Sequence, residues 1–128
     1  ESENAIGAVH VGREGLIKGM TESAISKMRE ASAHDKISAT IGPSICGNCY
    51  PLSAELYEVC TAKYPASNFD ESSFKVDVAA AVRSILESEE ISCTWFAGQR
   101  ECVSCDHDYF SYRRDGITGR QAMVVAFE

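Results

Sequence analysis

Asp77-Val78-Ala79-Ala80-Ala81-Val82-Arg83-Ser84-Ile85-Leu86-Glu87-Ser88-Glu89, followed after Glu90 by Ile91-Ser92-Cys93-Thr94-Trp95-Phe96-Ala97, decides the fold class of this 128-residue chain. In the first run Val78, Ala81, Val82, Ile85 and Leu86 recur on one face of a 3.6-residue period, and Asp77 stands where a side-chain oxygen accepts from the first free amides of a helix. The second run reads as a strand. A helix with one apolar face beside a strand buries that face against a sheet, so the expected class is α+β, with helices layered on sheet.

The segments upstream fit the same scheme. Ala5 to Val9 is a short apolar run bounded by Gly12 and Gly15, the pattern of a strand buried on both faces. From Leu16 to about Ala33, apolar Leu16, Ile17, Met20, Ala24, Ile25 and Met28 recur near a helical period, with Asp35 and Lys36 marking the turn after them. Ile37 to Ile45 alternates and runs into Gly42-Pro43, opening a loop that lasts to Pro51. Ser53 is placed to cap a helix over Ala54 to Cys60 that stops before Pro65. Ala66 to Phe74 and Gly98 to Asp108 read as surface loops, and Ala122 to Phe127 as a terminal strand. The predicted order is β-α-β-α-α-β-β, with no internal repeat and no low-complexity segment.

The length suits one domain over residues 1–128. With 45% hydrophobic and 24% charged residues, the composition excludes a disordered or fibrous chain. A formal net charge of -7 works against a surface that tracks nucleic-acid phosphates. No apolar run approaches the roughly 18 to 20 residues that span a bilayer, and no signal-peptide pattern opens the chain, so a cytoplasmic setting without a membrane or nucleic-acid partner is expected. Glu1 comes only a few residues before the first predicted strand, and a natural chain usually carries a longer lead-in. The expectation is a C-terminal portion of a longer protein.

Six cysteines are present. Cys46-Gly47-Asn48-Cys49 and Cys102-Val103-Ser104-Cys105 are two C-x-x-C pairs that together suggest a tetrathiolate zinc site. Their separation far exceeds the roughly 15 to 20 residues of a zinc ribbon, though two loops can still meet in space. The favoured reading is therefore the plainer one: Cys46, Cys49, Cys60, Cys93, Cys102 and Cys105 as small buried or loop residues in a reducing compartment.

His10 follows a predicted strand and precedes Gly12 and Gly15, a placement from which an imidazole can ligate a metal while the next helix offers amides to an anion. A satisfied structural histidine is the alternative. His34, in a helix-end turn, and His107, in an acidic loop, read as solvated residues. Arg113 and Arg114 offer guanidinium forks for a phosphate or, alternatively, surface ion pairs with Asp115. Asp115-Gly116 is also a plain turn signal.

Three segments carry a resemblance. Ala8-Val9-His10-Val11-Gly12-Arg13-Glu14-Gly15 is similar to the His-x-Gly-Trp-Arg-Gly motif of the YfiH-type laccase-domain family. Ile41-Gly42-Pro43-Ser44-Ile45 is similar to its Ile-Gly-Pro-x-Ile motif, and Phe110-Ser111-Tyr112-Arg113-Arg114-Asp115-Gly116-Ile117-Thr118-Gly119-Arg120 to its Phe-Phe-Ser-Tyr-Arg-Arg-Asp-Gly-x-Thr-Gly-Arg signature. The likeness covers nearly the whole chain and implies the C-terminal half of a layered α+β fold of the YfiH/CNF1 kind.

The resemblance further implies a metal, zinc or copper, held by two histidines and a cysteine. His10 would be the last of these ligands and a catalytic residue, with the other two upstream of Glu1. One ligand of three leaves this chain incompetent alone. The implied activity is phosphorolysis of adenosine, inosine or methylthioadenosine, with adenosine deamination as a second activity. Arg113, Arg114, Ser111 and Arg13 would face substrate or phosphate. Arg13 and Glu14 stand where the family has Trp and Arg, and Pro51 where it has Glu, which shifts the expected substrate contacts. The implied partners are a purine nucleoside, phosphate and the missing N-terminal segment. The resemblance gives the Cys46/Cys49 pair no ligand role. The rival readings are a copper-dependent polyphenol oxidase, which would need clustered histidines that three isolated ones do not supply, and a non-catalytic scaffold.

Overall fold

In the computed structural model, residues 5–32 and 36–127 are described; Ala33, the predicted end of the first long helix, His34 and Asp35 lie outside them. Five helices and four strands run along these residues: α1 (Arg13–Ile17), α2 (Met20–Ala31), β1 (Ser38–Ile41), α3 (Ala54–Lys63), β2 (Asn68–Asp70), β3 (Lys75–Val76), α4 (Val78–Ser88), β4 (Ser92–Trp95) and α5 (Tyr112–Asp115). The class is α+β, as expected from the helix and strand predicted over residues 77–97.

The capping residues do what their chemistry predicts. Ser53 Oγ accepts from the Leu56 amide at 3.3 Å and opens α3. Asp77 Oδ1 accepts from the Ala80 amide at 2.9 Å and opens α4. The predicted Leu16–Ala33 helix is instead two helices. Gly19, at φ +76°, sits between them in the left-handed conformation that glycine adopts without a Cβ penalty.

β1 and β4 pair in parallel, with Ser38 opposite Ser92, Ala39 opposite Cys93, Thr40 opposite Thr94 and Ile41 opposite Trp95. Ala39, Ile41 and Cys93 face a core of Ile25, Leu86 and Ile91, while the Thr40 and Thr94 hydroxyls lie 3.3 Å apart on the exposed face. A second core gathers Leu16, Tyr57, Cys60, Tyr64, Val76, Val78 and Ala81. Val82 and Ile85 of α4 touch both cores, so α4 is the wedge that joins the helical half to the parallel pair.

Three expectations are corrected. Ala5 to Val9 is not a buried strand: it forms no ladder, and Ile6 and Val9 are exposed. Ala122 to Phe127 likewise forms no strand, and Val124 is 86% exposed. Apolar composition alone does not make a strand, because backbone groups need a neighbouring edge to pair with, and among the described residues neither segment has one. Ala66 to Phe74 is not simply a surface loop. It includes β2, antiparallel to β3, and Ser67 is fully buried, its hydroxyl donating to the Tyr64 carbonyl at 2.7 Å.

Candidate metal and anion site

The parallel β1–β4 pairing continues beyond the strands. Ser44 forms an isolated bridge with Cys102: the Ser44 amide donates to the Glu101 carbonyl at 3.2 Å, and the Val103 amide donates to the Ser44 carbonyl at 3.2 Å. The loop after β1 and the segment after β4 therefore run side by side, which brings together residues far apart in sequence. Cys46, Cys49, Cys102 and Cys105 meet here, with all four sulfurs within 4.8 Å of one another. The four are therefore grouped in space rather than scattered, while Cys60 and Cys93 lie outside the group. Loop separation along the chain is no obstacle once parallel strands carry the two C-x-x-C turns to the same end of the pair.

Each turn has its own support. Gly47 to Cys49 forms a 3-10 turn that begins at Cys46, closed by the Cys49 amide on the Cys46 carbonyl at 3.0 Å. A Cβ on Gly47 would overlap the Phe69 ring, so glycine is required by close approach. On the other loop, the Asp106 amide donates to the Cys102 carbonyl at 2.9 Å. The Cys46 amide donates across to Cys102 Sγ at 3.2 Å.

The sulfurs are electrostatically inequivalent. Burial pushes the Cys102 thiol up, but backbone amides of Cys46, Cys105 and Ser104, with the Cys46 thiol, outweigh it and hold Cys102 down to about 6. Cys105, hydrogen-bonded first to Cys49 and then to Cys102 and Cys46, is pushed up to about 12. Among crowded thiols, one thiolate disfavours the ionisation of its neighbours. All four cysteines are free thiols. They form the one cluster of three or more metal-ligating side chains with this spacing among the described residues.

The motif that follows leans on the second cysteine turn. Arg114 directs its guanidinium inward and donates to the carbonyls of Val103, Ser104, Asp106 and Tyr109 at 2.9 to 3.3 Å. It also pairs with Asp115 through Nε and Nη2, both at 2.8 Å. Ser111 is buried and caps α5, accepting from the Arg114 amide. The side-chain amide of Gln121 makes reciprocal hydrogen bonds with the Phe110 backbone at 3.0 and 3.1 Å, tying the chain after the motif to its start.

Arg113 is placed differently from its neighbour. Its guanidinium lies over the Tyr50 ring, 4.5 Å from the centroid, with a long 3.5 Å contact to the Pro51 carbonyl. Arg113 is exposed and forms no ion pair among the described residues. Tyr50, next to Cys49, was not singled out as its partner by sequence reasoning; the pairing of the two loops makes it so.

His10 is exposed and belongs to no cluster of three or more metal-ligating side chains among the described residues. His107 is also exposed. Arg13 is partly buried, pairs with Glu14 at 3.4 Å and leaves its buried Nε without a hydrogen-bond partner. The structure thus places Ser111, Arg113 and Arg114 together with the cysteine cluster.

Among known proteins, the family described as multi-copper polyphenol oxidoreductase laccase matches residues 1–128. A purine nucleoside phosphorylase of Streptomyces griseus is 35% identical over 94% of this chain and 49% of its own length. A purine nucleoside phosphorylase of Deinococcus radiodurans is 32% identical over 94% of this chain and 48% of its own length. An adenosine deaminase from an unknown prokaryotic organism is 28% identical over 91% of this chain and 48% of its own length. The chain spans about half the length of these curated relatives. No solved structure matches. No helix among the described residues is long and apolar enough to cross a membrane. With the match running from the first residue to the last, this chain belongs to the multi-copper polyphenol oxidoreductase laccase family.

Proposed function

We propose that this chain contributes the anion-binding side of a purine nucleoside phosphorylase acting on adenosine, inosine or methylthioadenosine, with adenosine deamination as a second activity. The observation that carries the reading is its likeness, over nearly all of its length, to proteins of those names. In phosphorolysis the bond from C1′ to the purine nitrogen breaks. The base leaves with the electron pair and takes up a proton, while a phosphate oxygen bonds C1′ to give ribose 1-phosphate.

The contrast between the two adjacent arginines supports a division of labour. Arg114 is spent on four carbonyls and a carboxylate, so it shapes the loop. Arg113 presents a planar cation, stacked on Tyr50 and without a carboxylate partner among the described residues. A guanidinium in that state holds a phosphate bidentately. Ser111 fixes the turn that aims Arg113, and Arg13, with its unpartnered Nε, is a second candidate for the substrate side.

His10 remains the proposed zinc or copper ligand of the family reading, with two further ligands expected from a segment before Glu1. The described residues do not themselves fit that metal, because one imidazole cannot complete a three-ligand site. A cytoplasmic setting is part of the same proposal.

The full-length protein, incubated with inosine and phosphate, should yield hypoxanthine and ribose 1-phosphate. Arg113→Ala should raise the KM for phosphate with a smaller change in the KM for inosine. Base release independent of phosphate, or oxidation of a phenol with consumption of oxygen in place of phosphorolysis, would overturn the reading.

A further inference from the structure

We propose that Cys46, Cys49, Cys102 and Cys105 bind one zinc ion as a closed tetrathiolate that clamps the loop after β1 to the loop before α5. This centre is separate from any metal at His10, and it stands whether or not the chain belongs to a phosphorylase.

The geometry points to a metal and away from disulfides. A zinc–sulfur bond of about 2.3 Å puts the sulfurs of a regular tetrahedron about 3.8 Å apart. Cys46 and Cys105 sulfurs are 3.8 Å apart, Cys49 and Cys105 sulfurs 3.3 Å, and the whole set spans no more than 4.8 Å. A disulfide holds its sulfurs at about 2.05 Å. An ion of ordinary size therefore fits the centre of the cluster with small side-chain adjustments.

The donor set selects the ion. Four thiolates are soft ligands that reject magnesium and calcium, and tetrahedral sulfur coordination is the preferred state of zinc. Four protein ligands leave no open position for water or substrate, so the ion is structural. On binding, each thiol releases a proton and the zinc tetrathiolate carries a net charge of 2−. The fold offers compensation: the Cys46 amide already points at Cys102 Sγ. Three of the four cysteines are partly shielded from solvent, which slows exchange of the ion.

The consequence reaches the anion site. The backbone between Cys102 and Tyr109 is wrapped by Arg114, and the residue after Cys49 is the Tyr50 on which Arg113 stacks. One ion thus fixes both halves of the Arg113–Tyr50 pair, and these four cysteines are positioning residues.

The test is metal content and cobalt spectroscopy of the full chain, purified under reducing conditions. One zinc per chain is expected at this centre, and it should remain in His10→Ala, which removes any metal held at His10. Replacement by cobalt should give the intense sulfur-to-cobalt charge-transfer absorption of a tetrahedral thiolate centre. That absorption should be lost in Cys46→Ser and Cys105→Ser, and retained in Cys60→Ser, Cys93→Ser and His10→Ala. Should the ligand variants fail to fold, the native chain still decides the matter. Titration with an organomercurial should release its zinc in step with the modification of four thiols, and mapping should place those thiols at Cys46, Cys49, Cys102 and Cys105. Absence of metal, iron in place of zinc, a cobalt spectrum without thiolate bands, or a spectrum lost in His10→Ala but kept in Cys105→Ser would overturn the proposal.

Discussion

Asp77 carries two structural loads that mutation can separate. Its Oδ1 caps α4 through the Ala80 amide at 2.9 Å and receives Nη2 of Arg100 at 2.7 Å, and its side chain is only 6% exposed. Arg100 also stacks on Trp95 at 5.4 Å, so this one carboxylate ties the wedge helix to the segment that carries Cys102. Asp77→Ala removes a cap worth about 1 kcal/mol. The charged hydrogen bond is worth about 1.5–3 kcal/mol when buried, but Arg100 is 32% exposed, which reduces its share to about 1 kcal/mol. The expected loss is about 2 kcal/mol, or about 8 °C in Tm for a chain of this size. Asp77→Asn keeps a competent cap and loses only the charge, so it should cost about half as much. Urea and thermal denaturation of the three proteins provide the comparison. Equal losses in the two variants would refute the capping role, and losses below about 0.5 kcal/mol in both would refute the joint itself.

Three further outcomes follow from the same geometry. Gly47→Ala should destabilise the chain by about 1–3 kcal/mol, because its Cβ would overlap the Phe69 ring; denaturation and metal content measured together should both fall. Arg114→Lys should leave the core intact while amides between Val103 and Tyr109 exchange roughly tenfold faster, since a lysine ammonium cannot span four carbonyls; unchanged exchange would contradict its loop-holding role. Hydrogen bonds from the Ser73 and then the Ser72 hydroxyl hold the Asp70 carboxyl below its ordinary value of 3.8. Its contribution is therefore complete above that value and lost as the pH falls through the lower folded one, so Asp70→Asn should flatten the acid limb of the stability profile.

The parts of the fold legible in the sequence are those governed by local chemistry. Asp77 and Ser53 cap α4 and α3 as their positions predict, and β4 falls within the run from Ile91 to Ala97. What failed depends on neighbours. Ala5–Val9 and Ala122–Phe127 have strand composition, but a strand exists only beside another edge, and composition does not report edges. The cysteine cluster was hidden for a related reason. Its signal, two C-x-x-C pairs, is in the sequence, but the register of β1 on β4 that sets their distance in space is not. The fates of Arg113 and Arg114 were equally beyond a linear reading, since only the course of the 102–109 backbone decides which guanidinium finds carbonyls.

X-ray absorption at the zinc edge, recorded on His10→Ala so that the cysteine centre is observed alone, tests the account most directly. Four sulfur neighbours at about 2.3 Å are predicted. A shell containing nitrogen or oxygen at about 2.0–2.1 Å would contradict it.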